Sequence, residues 1–314
     1  MDTMTITVNP AEPETETNYH SITKAVNSIA LFEETAIIKI SPGIYEERVE
    51  IWRSDVFLEG TGPTPSDTVI TSSFGAFDLM EDGSKRGTFR SYTMLLNGDR
   101  LHLKNLTVAN EAGDPVKRGQ AIALYAEGDN ILVEHCRLTG RQDTLFTGPL
   151  PPKEIQPGGF TGPTQNAPRK HGHHLYKDCY ICGDVDFIFG SAEADFICCT
   201  IESVPHRSAK SDTDMIQGYV CAPSTPKGQL RGYTFTGCNL IGPDLRPATV
   251  YLSRPWRDYA RAHFKDCSFG DHIHPDLFHD WNKSAARENA VFTVADCTYN
   301  GENISFRAFS DEPV

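Results

Sequence analysis

Two carboxylates stand one residue apart in an apolar, β-prone segment of the chain. The segment reads GDVDFIFG over residues 183–190, with a glycine at each end. Side chains alternate along a strand, so Asp184 and Asp186 are expected on one face, beside aromatic rings. A carboxylate in such surroundings costs free energy unless a cation or hydrogen-bond donors bind it. A lone Asp at a strand edge commonly accepts hydrogen bonds from backbone amides of a tight turn. Other motifs of this chain, however, contain polar groups that could act together with this pair.

Three further motifs contain polar or aromatic side chains that could act with the two carboxylates. Their side chains of interest are Gln120 in QAIAL (residues 120–124), Gln142 and Asp143 in GRQDTL (residues 140–145), and Arg254 and Trp256 in YLSRPW (residues 251–256). QAIAL alternates as a strand does, and alone Gln120 would be read as a solvated strand residue. Arg254 with Trp256 alone would be read as a surface cation–π pair. The acidic, amide and basic groups indicate a site only if the fold brings them together.

A sequence repeat indicates how the fold could bring these groups together. Six segments share one pattern: an apolar residue, any residue, a small or polar residue, Cys, any residue, and an apolar residue. The cysteines in the fourth place are Cys136, Cys179, Cys199, Cys238, Cys267 and Cys297, and Leu106 takes that place in a seventh copy. One strand-like unit every few tens of residues is typical of a β-solenoid, in which equivalent positions stack from coil to coil. Cysteine suits such a ladder as a small hydrophobe, and disulfides along it are not expected.

The elements around the repeat agree with an all-β chain. Apolar residues at helical spacing over residues 18–32 predict one N-terminal amphipathic helix, after a short strand at residues 5–8. Further short strands are predicted at residues 36–40, 48–52, 56–59, 68–70, 92–96 and 120–124. Since the motifs that hold Gln120, Gln142 and Asp186 fall on consecutive coils, about 4.8 Å apart, their side chains are expected to line one outer face.

Loops are expected where the repeat is interrupted. Residues 149–170 are rich in Pro and Gly and predict a long projecting loop, and residues 213–229 and 243–247 predict shorter excursions. No segment has the composition of an interdomain linker, so residues 1–314 are predicted to form one domain. The loop-borne histidines are expected to be solvated, because zinc needs three or four convergent ligands; no metal is expected at His171, His173, His174, His272, His274 or His279.

Composition excludes several classes of partner. The formal net charge of −13 disfavours nucleic acid and anionic membranes, which need a basic surface. No run approaches the roughly 18 apolar residues of a membrane span. The first residues show no secretory leader pattern, and unpaired thiols suit a reducing compartment. We therefore expect a cytoplasmic protein, the alternative being a secreted one whose leader is not in this sequence.

The motifs, together with GIYEE at residues 43–47, resemble those of the pectin methylesterases, the aspartyl carbohydrate esterases. Five motifs occur in the family's order and span most of the chain. The resemblance implies a right-handed parallel β-helix, which agrees with the repeat. It also implies hydrolysis of methyl esters on galacturonosyl units of pectin or oligogalacturonides, with release of methanol. Water is the second substrate, no cofactor is required, and a monomer is expected.

The resemblance also implies a role for each site residue. Asp186 matches the nucleophile that forms an acyl-enzyme, and Asp143 matches the general acid and base. Gln120 and Gln142 match the donors that stabilise the oxyanion. Arg254 matches the arginine that orients the nucleophile. Substrate-binding residues are expected to be Trp256, as a platform for a sugar ring, and Phe187, as a further subsite residue.

The sequence departs from the family pattern at several places. Arg141 stands where an aromatic residue is common, Asp184 where Thr is frequent, and Ser253 where Gly is frequent. An Asp184 on the face of Asp186 would hinder the nucleophile, so a turn is expected to send Asp184 to solvent. The loop after Asp143 is longer than in plant-type members and is expected to wall the groove and favour short oligosaccharides.

Three alternatives stay open at this point. A β-helix pectate lyase would want a calcium-binding carboxylate cluster, and a polygalacturonase would want paired Asp residues without the Gln pair. A noncatalytic carbohydrate-binding β-helix would not need Asp143, Asp186 and Arg254. An esterase for another ester keeps the same residues, since carboxylate machinery is not limited to methyl esters.

Overall fold

The structure is a computed structural model that describes residues 3–29, 34–206 and 216–309. Its strands form three parallel ladders that enclose one apolar core. Successive coils contribute one strand to each ladder, so the predicted parallel β-helix is confirmed. Inward residues such as Ile38, Leu58, Leu103 and Val133 stack on one another from coil to coil and are fully buried.

The first ladder runs the length of the described chain. Its strands are β1 (Thr3–Val8), β3 (Thr35–Ile40), β6 (Val56–Gly60), β9 (His102–Lys104), β12 (Ile131–Glu134), β15 (His173–Lys177), β18 (Glu193–Ile197), β21 (Tyr233–Thr236), β24 (Arg261–Lys265) and β26 (Val291–Tyr299). The short β2 (Asn18–Tyr19) pairs with β1, and β27 (Glu302–Arg307) closes the far end antiparallel to β26.

The second and third ladders complete each coil. The second contains β4 (Gly43–Glu46), β7 (Thr68–Ser72), β10 (Thr107–Asn110), β13 (Arg137–Thr139), β16 (Tyr180–Gly183), β19 (Thr200–Ser203), β22 (Asn239–Ile241) and β25 (Ser268–Phe269). The third contains β5 (Val49–Ile51), β8 (Met94–Leu96), β11 (Leu124–Ala126), β14 (Leu145–Thr147), β17 (Val185–Gly190), β20 (Gly218–Pro223) and β23 (Val250–Ser253).

The cysteine repeat is the turn from the first ladder to the second. In all seven copies the residue in the third place has a left-handed backbone, with φ between 50° and 62°; these residues are Asn105, His135, Asp178, Cys198, Gly237, Asp266 and Asp296. Asn, Asp and Gly adopt this conformation at the lowest cost, which explains the small or polar residue in the pattern. The following cysteines are buried and unpaired, as expected. Their thiols bond to backbone carbonyls, for example Cys179 to Val133 at 3.3 Å.

The helices are few and short. They are α1 (Ile22–Ser28), α2 (Pro115–Arg118) and α3 (Ser284–Asn289). Helix α1 is capped by Ser21, whose hydroxyl accepts a hydrogen bond from the Lys24 amide, and it buries Ile22, Ala25 and Val26. The predicted N-terminal helix is thus present but begins later, because Asn18 and Tyr19 form β2; residues 30–32 of the prediction lie outside the described residues. Within the described residues, no helix has the length and apolar character needed to cross a bilayer.

The predicted loops are present in part. Residues 149–170 contain no strand, and residues 243–247 form turns, as predicted. The excursion predicted at residues 213–229 is wrong in its middle, because β20 occupies Gly218–Pro223; residues 213–215 lie outside the described part of the chain. The strand predicted at residues 120–124 is also wrong, since β11 begins only at Leu124.

Candidate active site

The polar motifs converge on one end of the third ladder. Asp143 lies just before β14, and Asp186 lies in β17 on the next coil. The Asp143 amide donates to the carbonyl of Val185 at 3.1 Å, so the two acidic segments are in direct backbone contact. Arg254 follows β23, two coils further on, and reaches back across β20. Coil stacking therefore assembles residues that are far apart in sequence.

Asp186 is held by a two-point ion pair. Its φ of 50° and a register shift between Val185 and Ile188 interrupt the regular pairing of β17 at this residue. Arg254 Nε donates to Asp186 Oδ1 at 2.7 Å, and Arg254 Nη2 donates to Oδ2 at 2.6 Å. A planar guanidinium fixes a carboxylate in both position and orientation. Asp186 remains 7% exposed, so its carboxylate is oriented without being sealed from substrate.

Two aromatic rings hold Arg254 in place. Its guanidinium carbon lies 3.7 Å from the ring centre of Tyr219 and 3.8 Å from that of Trp281. Tyr219 lies in β20, the strand between Asp186 and Arg254, and Trp281 comes from the segment before α3. Cation–π contacts of this kind are stronger when desolvated. Neither ring was predicted. In the case of Trp281, no motif or spacing in the sequence connects it to the other residues.

Asp143 has the character of a neutral acid. It is 8% exposed and has a φ of 65°. Burial raises its pKa well above the usual value for an aspartate, and the negative charge of Asp186 adds to the increase, whereas Arg254 opposes it. The raised pKa favours the protonated form of Asp143, beside an Asp186 that is paired with arginine. This is the division expected of an acid beside a nucleophile.

Gln120 and Gln142 lie on consecutive coils beside these acids. The Ala121 amide donates to the carbonyl of Gln142 at 3.0 Å, which sets the two glutamines next to each other along the ladder. Gln120 stands in an irregular segment before β11, where its own carbonyl accepts the Ala76 amide at 2.8 Å. Both residues are partly exposed, so their amide groups are available to a ligand as uncharged hydrogen-bond donors.

An aromatic layer covers the outer face of the third ladder next to the acids. It contains outward residues of successive strands, Leu95, Tyr125, Phe146 and Phe189, and loop residues that include Phe89 and Phe160, with Trp256 partly buried against it. The ring centre of Trp256 lies 5.6 Å from that of Phe189 and 6.2 Å from that of Phe160. Trp256 thus packs on this layer and keeps part of its surface exposed.

The expectation for Phe187 is wrong. Its side chain is fully buried in the main core, because the register shift at Asp186 turns Phe187 inward between the stacked coils. It has no surface to offer a sugar. The neighbouring outward ring is Phe189, which alternation from Phe187 would place on the same face in a regular strand. The left-handed Asp186 was the feature that strand periodicity could not reveal.

The expectation for Asp184 is also wrong. It is fully buried rather than directed to solvent, and it does not share the partner of Asp186. Its Oδ2 lies 3.4 Å from Arg141 Nε and 3.1 Å from His206 Nδ1, and its Oδ1 accepts the Val185 amide at 2.7 Å. The two carboxylates thus bind different arginines, Asp184 contacting Arg141 and Asp186 contacting Arg254.

The histidines of the long loop lie on the first ladder rather than among these residues. His171 and His173 are exposed and stack on each other, and their ring nitrogens lie within 4.8 Å of a Glu193 oxygen. His174 differs from the expectation of a solvated residue, because it is buried in β15 and its Nε2 bonds the carbonyl of Gly128 at 2.9 Å. Burial lowers the pKa of His174 to about 4.

Comparison with known proteins places this geometry in a family. Pectinesterase QRT1 of Arabidopsis thaliana is 30% identical over 271 residues, which cover 84% of this chain and 62% of that protein. The chain therefore spans less than two thirds of that relative's length. Among solved structures, a pectin methylesterase in complex with a hexasaccharide superposes with a TM-score of 0.78 at 25% identity, over 96% of this chain and 90% of that one.

A second solved structure agrees. The pectin methylesterase from Yersinia enterocolitica superposes with a TM-score of 0.74 at 27% identity, over 91% of this chain and 92% of that chain. The fold is the right-handed parallel β-helix. The sequence profile of the Pectinesterase family matches residues 8–149 and 165–308, leaving out only the middle of the long loop and the chain ends. The chain belongs to the pectinesterase family.

Proposed function

We propose that this chain is a carboxylic ester hydrolase that removes methyl esters from galacturonosyl residues of pectin or oligogalacturonides. The observation that carries the proposal is the pairing of Asp186 with Arg254 at 2.6 and 2.7 Å. Asp143 lies beside this pair, and its burial raises its pKa. Membership of the family supports the reaction class, and a relative solved with a hexasaccharide supports a sugar substrate.

The first half of the reaction uses the two acids in different protonation states. A carboxylate oxygen of Asp186 attacks the ester carbonyl, and the carbonyl electrons move to its oxygen. Amide groups of Gln120 and Gln142 donate hydrogen bonds to that oxyanion. When the carbonyl re-forms, the bond to the methoxy oxygen breaks, and Asp143 supplies the proton that makes methanol. The product is an anhydride between Asp186 and the substrate carboxyl.

The second half restores the enzyme. Asp143, now a carboxylate, accepts a proton from water as the water oxygen attacks the substrate carbonyl of the anhydride. The bond to Asp186 breaks, and Arg254 receives the Asp186 carboxylate in its original orientation. The net change is ester plus water to acid plus methanol. No cofactor takes part in these steps.

The long loop is proposed to wall the substrate groove and to favour short oligosaccharides. The loop carries Phe160 into contact with Trp256, and the family profile skips residues 150–164. Replacing Phe160 by Ala is expected to raise KM for oligogalacturonide esters by about three- to tenfold, with kcat nearly unchanged, because ring packing behind Trp256 is lost. Ile155→Ala, at an exposed position of the same loop, is the matched control. Equal KM values for the two variants would contradict this role.

A reducing, cytoplasmic location and a monomeric state are also proposed. All nine cysteines are unpaired, which is usual where thiols are kept reduced. A cytoplasmic enzyme of this kind would act on imported oligogalacturonide esters, and a secreted enzyme in pectin degradation or cell wall modification is the alternative. Size-exclusion chromatography with light scattering tests the monomer.

The function is tested by its product. The enzyme is incubated with methylated pectin in excess EDTA, and three products are measured: methanol, ultraviolet-absorbing unsaturated ends and new reducing ends. Methanol alone is the expected result. Unsaturated ends or reducing ends would indicate a lyase or a hydrolase of the polymer chain instead. Acetate release from acetylated substrate, with no methanol from methylated substrate, would favour the alternative of another ester.

A further inference from the structure

A buried charge cluster lies directly behind the two catalytic carboxyls. Asp184 is fully buried, and its carboxylate contacts Arg141 at 3.4 Å and His206 at 3.1 Å. Removing a carboxylate from water costs several kcal/mol unless opposite charge and hydrogen bonds compensate for it. Replacing such a pair by well-packed apolar groups often leaves the stability of the protein unchanged or increases it. Stability alone therefore does not explain why these charges are placed here.

The two partners belong to the turns that carry the catalytic acids. Arg141 is two residues before Asp143, and Asp184 is two residues before Asp186. The backbones of these turns are in contact, since the Asp184 amide donates to the Arg141 carbonyl at 3.2 Å. A side chain at Gly183 would bring its Cβ to 2.5 Å from that same carbonyl, which is why the approach requires glycine.

Arg141 is itself anchored on a third segment. Its Nη2 donates to the carbonyl of Pro205, next to His206 in the chain after β19. The Thr144 hydroxyl donates to the Arg141 carbonyl at 3.1 Å and thereby braces the turn that leads into β14. The ion pair thus joins the turn of Asp143, the turn of Asp186 and the segment that contains Pro205 and His206.

We propose that Arg141 and Asp184 are positioning residues that set the placement of Asp143 relative to Asp186. The inference rests on the proposed function, because it assigns these residues to the same reaction. Neither residue touches the reacting atoms. They act through the two turns, whose backbones are joined by the hydrogen bond from the Asp184 amide to the Arg141 carbonyl.

The cluster also acts on the acid by charge. The carboxylate of Asp184 adds to the effect of burial and of Asp186 in raising the pKa of Asp143, while Arg254 opposes it. Arg141 faces Asp184 and offsets part of its charge, and His206 Nδ1 lies 3.1 Å from the same carboxylate oxygen. Without the Asp184 charge, Asp143 should lose its proton at lower pH, so the alkaline limb of the kcat profile should move to lower pH.

The experiment is a double-mutant cycle on methanol release. The variants are Arg141→Tyr, Asp184→Thr and the double variant, with Asp184→Asn for the pH profile. Each single change leaves one charge of the pair without its main partner and is expected to lower kcat about tenfold or more, with KM within about threefold. The double variant is expected to recover to within about threefold of wild type, because no unpaired charge remains.

Controls separate positioning from folding and from the proposed function. Melting temperatures identify variants that fold poorly, and the double variant keeps the test decisive if a single variant does not fold. Arg231→Gln breaks an exposed ion pair with Asp195, 2.7 Å long, and should leave kcat and the pH profile unchanged. Wild-type enzyme that releases no methanol would refute the proposed function. If the wild type is active, two results would refute the positioning role. One is single variants that retain the wild-type kcat and pH profile, and the other is a double variant whose fold-loss in kcat equals the product of the two single fold-losses.

Discussion

At the scale of single residues, the most informative feature is the unequal environment of two neighbouring carboxyls. Asp186 has a guanidinium on both oxygens, and Asp143 is buried beside that negative charge with a raised pKa. A group whose pKa is higher in the folded than in the unfolded state binds more protons when folded. Its contribution to stability is then present at low pH and is lost as the pH rises through the folded pKa.

This loss of stability with rising pH leads to a prediction for Asp143→Asn. Asn keeps the shape of the neutral acid but never ionises, so the variant avoids the cost of a buried charge. Its melting temperature should match wild type at about pH 4 and exceed it by about 2 °C or more at about pH 8, while methanol release is lost. Differential scanning calorimetry at the two pH values measures the difference. A variant that is less stable than wild type at the higher pH would contradict the raised pKa.

Sequence motifs found Asp143, Asp186 and Arg254, and the structure brings these three together. Three other residue assignments could not be made from the sequence. The left-handed backbone at Asp186 interrupts the strand just before Phe187 turns inward, and strand periodicity contains no signal for it. Asp184 is buried against Arg141 and His206, which lie on other segments of the chain. Trp281 reaches Arg254 only because the coils stack, so its role has no local signature.

At the scale of elements, the turn between the first two ladders is what the repeat encodes. The third place of the pattern is left-handed in every copy, and the fourth is a buried apolar residue, Cys in six copies and Leu106 in the seventh. The sequence could therefore predict the solenoid and the cysteine ladder. It could not predict the start of β11 or the presence of β20, because those boundaries are set by pairing with neighbouring coils. The alternation of QAIAL favoured a strand that begins too early, and the composition around β20 favoured a loop.

Asp266 offers a test of the turn. It is exposed, with a φ of 53°, and directly precedes the buried Cys267. Asp266→Val should destabilise the protein by about 1–2 kcal/mol, because a β-branched residue resists the left-handed conformation, whereas Asp266→Gly should be neutral or slightly stabilising. Urea unfolding followed by circular dichroism gives both values. A Val variant as stable as the Gly variant would show that the left-handed turn does not constrain this position.

At the scale of the whole molecule, the thiols distinguish this chain from a disulfide-stabilised one. Eight of the nine cysteines are buried and Cys198 is exposed. Burial raises the pKa of the thiols of Cys136 and Cys221 to about 12, which keeps them protonated and slow to react. A core of stacked apolar side chains, without cross-links, holds the coils together.

A thiol count tests this arrangement. Ellman's reagent should modify one thiol in the native protein, and Cys198→Ser should abolish that reaction. After unfolding in denaturant without reductant, all nine thiols should react. Fewer than nine would reveal a disulfide, and rapid modification of several thiols in the native protein would contradict the buried ladder.

The whole-molecule charge sets a condition on the substrate. With a net charge of −13, the protein repels a polyacid at long range. Under the proposed function, neutral methyl-esterified units would therefore be the part of the polymer that it approaches most easily. The fold and the family were both within reach of the sequence, and the proposed role of the loop around Phe160 in substrate length is tested by the Phe160→Ala variant.

The most direct test of the account is methanol release by Asp186→Asn. The variant keeps the size of the side chain and removes the nucleophilic carboxylate, so turnover on methylated pectin should fall by about a thousandfold or more. Asp195→Asn, at a partly exposed acid of β18, is the matched control and should keep wild-type turnover. A folded Asp186→Asn variant that releases methanol within about tenfold of the wild-type rate would contradict the assignment of Asp186 as the nucleophile.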